Sequence, residues 1–186
     1  DIDNYIKENI NEDFVNEMAL PDASVLNSVP QAQISNNVTG LSIYTFSFVA
    51  LSDTSIRIYL TFPYGYDIYD YEIDLIKPEG ISTEMDFVTG LNSYGYYVEV
   101  YGIESANMDD LFTVTIYLKT EVDNKTTITY SALTYLKEKL TEVNNVLENE
   151  SATASQKASA QATKNMCLAA YEYNRAAQAY FGNQGV

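Results

Sequence analysis

The sequence has 186 residues and contains no His, no Trp, one Cys and four Pro, with 10 Lys and Arg set against 26 Asp and Glu. Without histidine, neither a Ser-His-Asp triad nor a Cys-His pair can be built, and the usual general base near neutral pH is missing. The single thiol, Cys167, cannot close an internal disulfide, and Cys/His zinc modules are excluded with it. A formal net charge of −16 with no basic cluster repels phosphate backbones and anionic lipid, so nucleic acid is excluded as a partner. No apolar run approaches the roughly 18 residues that a spanning helix needs, so no membrane insertion is expected. Neither Gly-x-x-x-x-Gly-Lys nor Gly-x-Gly-x-x-Gly occurs, which leaves nucleotide cradles without a motif. No cofactor is expected.

Tyrosine is abundant, with 17 residues against seven Phe. It forms strands readily and joins an apolar ring to a polar tip, which suits half-buried sheet surfaces and recognition faces.

The hydrophobic period divides the chain into three parts. Over residues 1–37, Ile2, Ile6, Ile10, Phe14 and Met18 recur every fourth position and predict a short amphipathic helix that ends at Pro21. Aperiodic Ser, Asn, Gln and Pro from Asp22 to Asn37 then read as a linker. Over 38–130 the period is two. Ile56, Ile58 and Leu60 alternate with Arg57 and Tyr59, and Phe112, Val114, Ile116 and Leu118 alternate with Thr113, Thr115 and Tyr117. Further strands are read at 41–51, 67–76, 94–101 and 126–130. Pro63-Tyr-Gly65, Lys77-Pro-Glu-Gly80 and Thr89-Gly90 read as punctuation between them. Over 131–182, Leu133, Leu136, Leu140, Val143 and Leu147 mark one helix. A Gly- and Pro-free stretch from about Thr153 to Phe181 marks a second, with Ala158, Ala162, Cys167, Ala170, Tyr173, Ala177 and Tyr180 as its apolar stripe.

The expected architecture is therefore α+β: an antiparallel β-sandwich-like domain followed by a C-terminal αα hairpin that packs on it as one folding unit, with a short N-terminal helix.

Three segments carry a resemblance. Phe112-Thr-Val-Thr-Ile116, Thr129-Tyr-Ser-Ala-Leu-Thr-Tyr135 and Ala170-Tyr-Glu-Tyr-Asn-Arg-Ala-Ala-Gln-Ala-Tyr-Phe181 resemble a module that recurs in secreted, multi-modular surface proteins of Gram-positive anaerobes. That module closes on Tyr-Gly-x-Ala-Ala-Gln-x-Tyr-Phe; here Asn174 stands at the glycine position. The resemblance spans roughly residues 38–182 and implies an extracellular or cell-surface location, beside other modules of one polypeptide. It brings no catalytic residues. Its Tyr173, Ala176, Ala177, Tyr180 and Phe181 are expected to form a helix face packed on the sheet.

The leading expectation is thus a non-catalytic spacer, scaffold or adhesion element. A carbohydrate-binding module, with polysaccharide or host glycan as partner, is the alternative. Strand alternation lets Tyr59, Tyr97, Tyr101 and Tyr117 share one outer face, with Arg57 and Glu99 among them. Tyr64 and Tyr66 flank Gly65 in a turn. The competing placement has the helices covering that outer face and making its rings core. A glycoside hydrolase remains a second alternative, since it needs only two suitably spaced carboxylates. No metal site is assigned. Asp70, Glu72 and Asp74, alternating along one strand, or Asp109-Asp110, are the groups that a Ca²⁺ ion would use, without an EF-hand spacing to support them.

Overall fold

The computed structural model describes residues 20–50, 54–78 and 84–182. The helix read over 1–20 lies, Leu20 apart, outside the described residues.

Among the described residues eight strands precede two helices: β1 (Gln33–Asn36), β2 (Ser42–Ala50), β3 (Thr54–Thr61), β4 (Tyr71–Ile76), β5 (Asp86–Asn92), β6 (Gly95–Ile103), β7 (Phe112–Leu118), β8 (Lys125–Tyr130), α1 (Ala132–Glu148) and α2 (Ala154–Gly182). All pairings are antiparallel. They form two four-stranded sheets, ordered β1-β8-β7-β4 and β2-β3-β6-β5. The expected α+β arrangement of an antiparallel sandwich and a C-terminal helical hairpin is what the chain adopts.

Alternation decides what each sheet buries. On β3, Ile56 and Ile58 are fully buried, opposite Phe48 and Phe46 on one side and Val100 and Val98 on the other. On β7, Val114 and Ile116 are likewise buried, and Val114 sits between Leu75 and Ile128. Each such side chain removed from water stabilises the fold by roughly 1.5–3 kcal/mol. Buried polar groups are paired across the same layer: Thr126 Oγ1 donates to Asn36 Oδ1 at 2.6 Å and ties β8 to β1.

Two parts of the reading ahead of the helices need correction. The stretch 22–37, read as a linker, holds a 3₁₀ turn at Ala23–Leu26 and the edge strand β1, whose four exposed residues show no apolar face to read. Thr89-Gly90, read as a break between strands, lies within β5, where Gly90 pairs with Tyr97.

The hairpin covers the end of the sandwich where β2 stops, and α1 continues beside the β2 edge toward its start. Leu133, Leu136, Leu140 and Val143 of α1 are buried, and Ser131 caps its start by accepting the Thr134 N–H at 3.0 Å. Lys137 Nζ donates to the carbonyls of Asn27 and Val29, and Thr134 Oγ1 donates to Pro30, so α1 also holds the incoming segment. Reciprocal bonds between Thr153 and Gln156 start α2 as a capping box.

The buried positions of α2 are Ala160, Cys167, Leu168 and Asn174. Of the stripe read from sequence only Cys167 is buried; Ala158, Ala162, Tyr173 and Tyr180 are exposed, as are Ala176 and Phe181. The expected packing of the closing motif on a sheet is therefore corrected. Polar side chains dock this helix instead, with Asn174 Nδ2 donating to the Ser105 carbonyl at 2.7 Å and Gln178 Nε2 to the Ala106 carbonyl at 3.1 Å.

Candidate functional site

The hairpin meets the sandwich where β2 and β6 end and β3 begins, around Phe48, Ala50, Thr54 and Ile103. The opposite pole is made of the β3–β4 connection, the β5–β6 turn and the starts of β2 and β8. Exposed tyrosines gather at this second pole.

Tyr66 N–H donates to the Pro63 carbonyl at 3.1 Å, and Gly65 has φ +89°. A positive φ at the third position is the mark of a type II turn, and glycine adopts it without strain. The turn leaves Tyr64 fully exposed and Tyr66 half exposed. Tyr66 meets the buried Tyr71 edge-on at 6.4 Å between centroids, and Phe62 bridges Tyr71 and Tyr96 at 4.8 and 5.7 Å. An aromatic column thus runs from the core to the tip. Burial pushes the Tyr71 phenol up.

Tyr69 is held nearby, its N–H bonded to Asp67 Oδ1, while Asp70 Oδ2 accepts from the Asp67 N–H. In the β5–β6 turn Asn92 Oδ1 accepts the Tyr94 N–H at 2.9 Å, which leaves Tyr94 72% exposed.

From this tip the aromatic surface continues onto the outer face of the β2-β3-β6-β5 sheet. Tyr59 and Tyr97 are cross-strand partners, with rings 5.7 Å apart, and Tyr94 stands edge-on to Tyr59 at 6.0 Å. Asn92 Nδ2 donates to the Tyr59 hydroxyl at 3.0 Å. Arg57 lies over the Tyr97 ring at 4.9 Å, its Nε donating to Glu99 Oε2 at 2.8 Å; Ser55 Oγ donates to the other carboxylate oxygen at 2.6 Å. The bond to Glu99 holds the guanidinium above its ordinary range.

The six candidate tyrosines thus fall in three places. Tyr64 and Tyr66 form the tip. Tyr59, Tyr97 and Tyr101 share one sheet face, Tyr59 being only 5% exposed beneath its neighbours and Tyr101 lying at the hairpin end opposite Asp86. Tyr117 belongs to the other sheet, between Glu72 and Lys125, whose ammonium sits 4.8 Å above its ring. The helices close an end and not this outer face, so Tyr59 is buried by Tyr94, Tyr97 and Asn92.

Asp70, Glu72 and Asp74 do not converge. Asp70 caps a turn, Glu72 faces Lys119 at 3.9 Å, and among the described residues no three acidic or thiol groups are placed to hold a metal ion. Cys167 is fully buried and its thiol is pushed up to about 11, which keeps it from acting as a thiolate. Tyr69 and Tyr94 were missed in sequence. The turn Asn92-Ser-Tyr-Gly95 could have flagged Tyr94, had β5 been read as a strand leading into it.

No family model, curated protein or solved structure matches the chain.

Proposed function

We propose that the chain is a non-catalytic extracellular module of a larger bacterial surface protein, an adhesion element that holds neutral glycan through its tyrosine-bearing pole. The observation that carries this reading is the gathering of exposed Tyr64, Tyr66, Tyr69 and Tyr94 at the pole opposite the hairpin, continuous with Tyr97 and Arg57 on the sheet face. Sugar rings stack their C–H faces on such planes, and Asn92, Arg57 and Glu99 supply neighbouring donors and acceptors. The extracellular setting rests on the resemblance to modules of surface proteins.

Affinity at one site is expected to be weak, with a Kd on the order of 10 µM to 1 mM. Tandem modules would supply avidity. The test is electrophoretic retardation of the chain on plant and host polysaccharides, repeated with Tyr64→Ala and Tyr66→Ala combined, and with Tyr94→Ala. Retardation that is insensitive to salt and lost in these variants supports the reading. Absence of retardation on every glycan, or retention by correctly folded variants, removes it. Sustained hydrolysis of any polysaccharide would favour a carboxylate-dependent glycosidase instead.

A further inference from the structure

Among the described residues the sandwich has four edge strands, and they are guarded unequally. β1 spans four residues, β4 carries Glu72 and Asp74, and β5 begins with Asp86 and carries Gly90 midway. Charges, brevity and glycine are what keep an exposed edge from pairing with another chain. β2 has nine residues, Ser-Ile-Tyr-Thr-Phe-Ser-Phe-Val-Ala, with neither charge nor proline. Its one irregularity is a register shift at Tyr44. The later half of β2 is covered, since Tyr135 of α1 stacks on Phe48 at 5.8 Å. The earlier half is open, with Tyr44 67% exposed.

Beside that open half lies a cleft of about 260 Å³, bounded by Ile34 of β1, residues 43–46 of β2, Tyr130, and Tyr135, Glu138, Lys139 and Glu142 of α1. Its charges do not cancel. Lys139 is paired with Glu142 three residues on. Glu138 accepts the Tyr130 hydroxyl through Oε2 at 2.7 Å, and its Oε1 takes no hydrogen bond among the described residues. One solvent-exposed carboxylate with no cationic partner among the described residues therefore stands at the cleft beside the rings of Tyr44 and Phe46, while Lys139 lies 6.0 Å from the Tyr135 ring; a cationic side chain entering along the β2 edge would find its counter-charge at Glu138. The net charge of −16 acts in the same direction: it opposes a second copy and draws in a basic partner.

We propose that the Ser42–Ser47 edge of β2 takes up an extended segment of a partner protein by strand addition, with a lysine or arginine of that segment reaching Glu138. Main-chain hydrogen bonds would supply the pairing, and the cleft would select the side chain.

The probe is acetyl-Thr-Lys-Val-Lys-Val-Thr-amide, titrated into the ¹⁵N-labelled full chain at about 20 mM salt, with its Glu-for-Lys counterpart as control. Shifts are expected at residues 42–47 and at Glu138, with affinity falling several-fold as salt rises to about 0.2 M. Glu138→Gln should weaken binding by up to about fivefold, and Tyr44→Lys, which puts a charge on the edge, should abolish it. Thermal melts of both variants should stay cooperative and within roughly 5 °C of the parent, which separates lost binding from lost fold. Equal response to the acidic peptide, shifts confined to β4 or β5, or unchanged affinity in both variants would overturn the proposal. So would dimerisation in sedimentation that moves the same amides, because the edge would then belong to a second copy.

Discussion

The phenol ring of Tyr97 occupies the space that a side chain at residue 90 would need. A Cβ built on Gly90 overlaps Cζ and the hydroxyl of Tyr97 and lies 3.0 Å from Cε1. Glycine inside a strand weakens it, so its presence in β5 calls for a close neighbour, and Tyr97 is that neighbour. With Arg57 stacked on the ring and tied to Glu99, the glycine fixes how the aromatic face is laid out.

Gly90→Val should therefore destabilise the chain by about 1–3 kcal/mol, although valine is the better strand former. In a Tyr97→Ala background the same change should cost much less, because the overlapping ring is gone. Urea unfolding of the two single variants and the double variant measures the coupling. Additive costs would show that Tyr97 does not determine the glycine.

This pair also shows where sequence reading stops. Strands such as β3 and β7 were legible because Ile56, Ile58 and Leu60, and Phe112, Val114 and Ile116, fall at every second position and are buried. β5 was not, because Gly90 stands where alternation would continue and glycine more often marks a turn. In α2 the Ala-rich pattern gave little contrast between faces, and beside the buried Cys167 and Leu168 the residues that tie the helix to the sandwich, Asn174 and Gln178, are polar. The turn tyrosines Tyr64 and Tyr66 were found from Pro63 and Gly65. The company that Tyr59 and Tyr97 keep depends on strand order, which no local pattern encodes, and for the same reason Tyr117 could not be assigned to the opposite sheet.

Alkaline pH should unfold the chain in two overlapping steps. Burial pushes the Cys167 thiol from an ordinary 9.0 up to about 11, and burial together with the Glu138 carboxylate raises the Tyr130 phenol above its ordinary 10.0. In both cases the native state keeps a proton that the unfolded state gives up. Their contribution is whole below pH 9 and is lost as pH rises. The thiol accounts for at most about 3 kcal/mol between pH 9 and 11. Cys167→Ala should move the onset of the decline from about pH 9 to about pH 10, where tyrosine begins to ionise. Chemical denaturation from pH 8 to 11 reads this directly; an unchanged profile in the variant would mean that the thiol is not the group responsible.

Tyr130 also joins the core to the cleft, since its ring stacks on Phe46 at 4.3 Å and its hydroxyl reaches Glu138. Tyr130→Phe keeps the stack and removes one hydrogen bond to a charged group. Because Glu138 can be rehydrated, the expected loss is about 1 kcal/mol. A loss above about 3 kcal/mol would mean that the hydroxyl holds more than this one contact.

Asn174 has no accessible surface; its Nδ2 donates to the Ser105 carbonyl, and its Oδ1 has no hydrogen-bond partner among the described residues. An orphaned acceptor is a cost already present in the native state, and this predicts an unusual order of substitutions. Asn174→Leu gives up one hydrogen bond but removes the orphan, and should change stability by no more than about 1 kcal/mol. Asn174→Asp places a carboxylate against the Ser105 carbonyl with no donor to receive it, and should cost about 3–5 kcal/mol at neutral pH. That cost should shrink as pH falls, because the buried acid is retained protonated and can then donate as the amide does. Thermal melts of both variants at pH 7 and pH 4.5 test the order. If the aspartate variant melts like the parent at pH 7, a donor must already meet that oxygen, and the account of how α2 is docked would have to change.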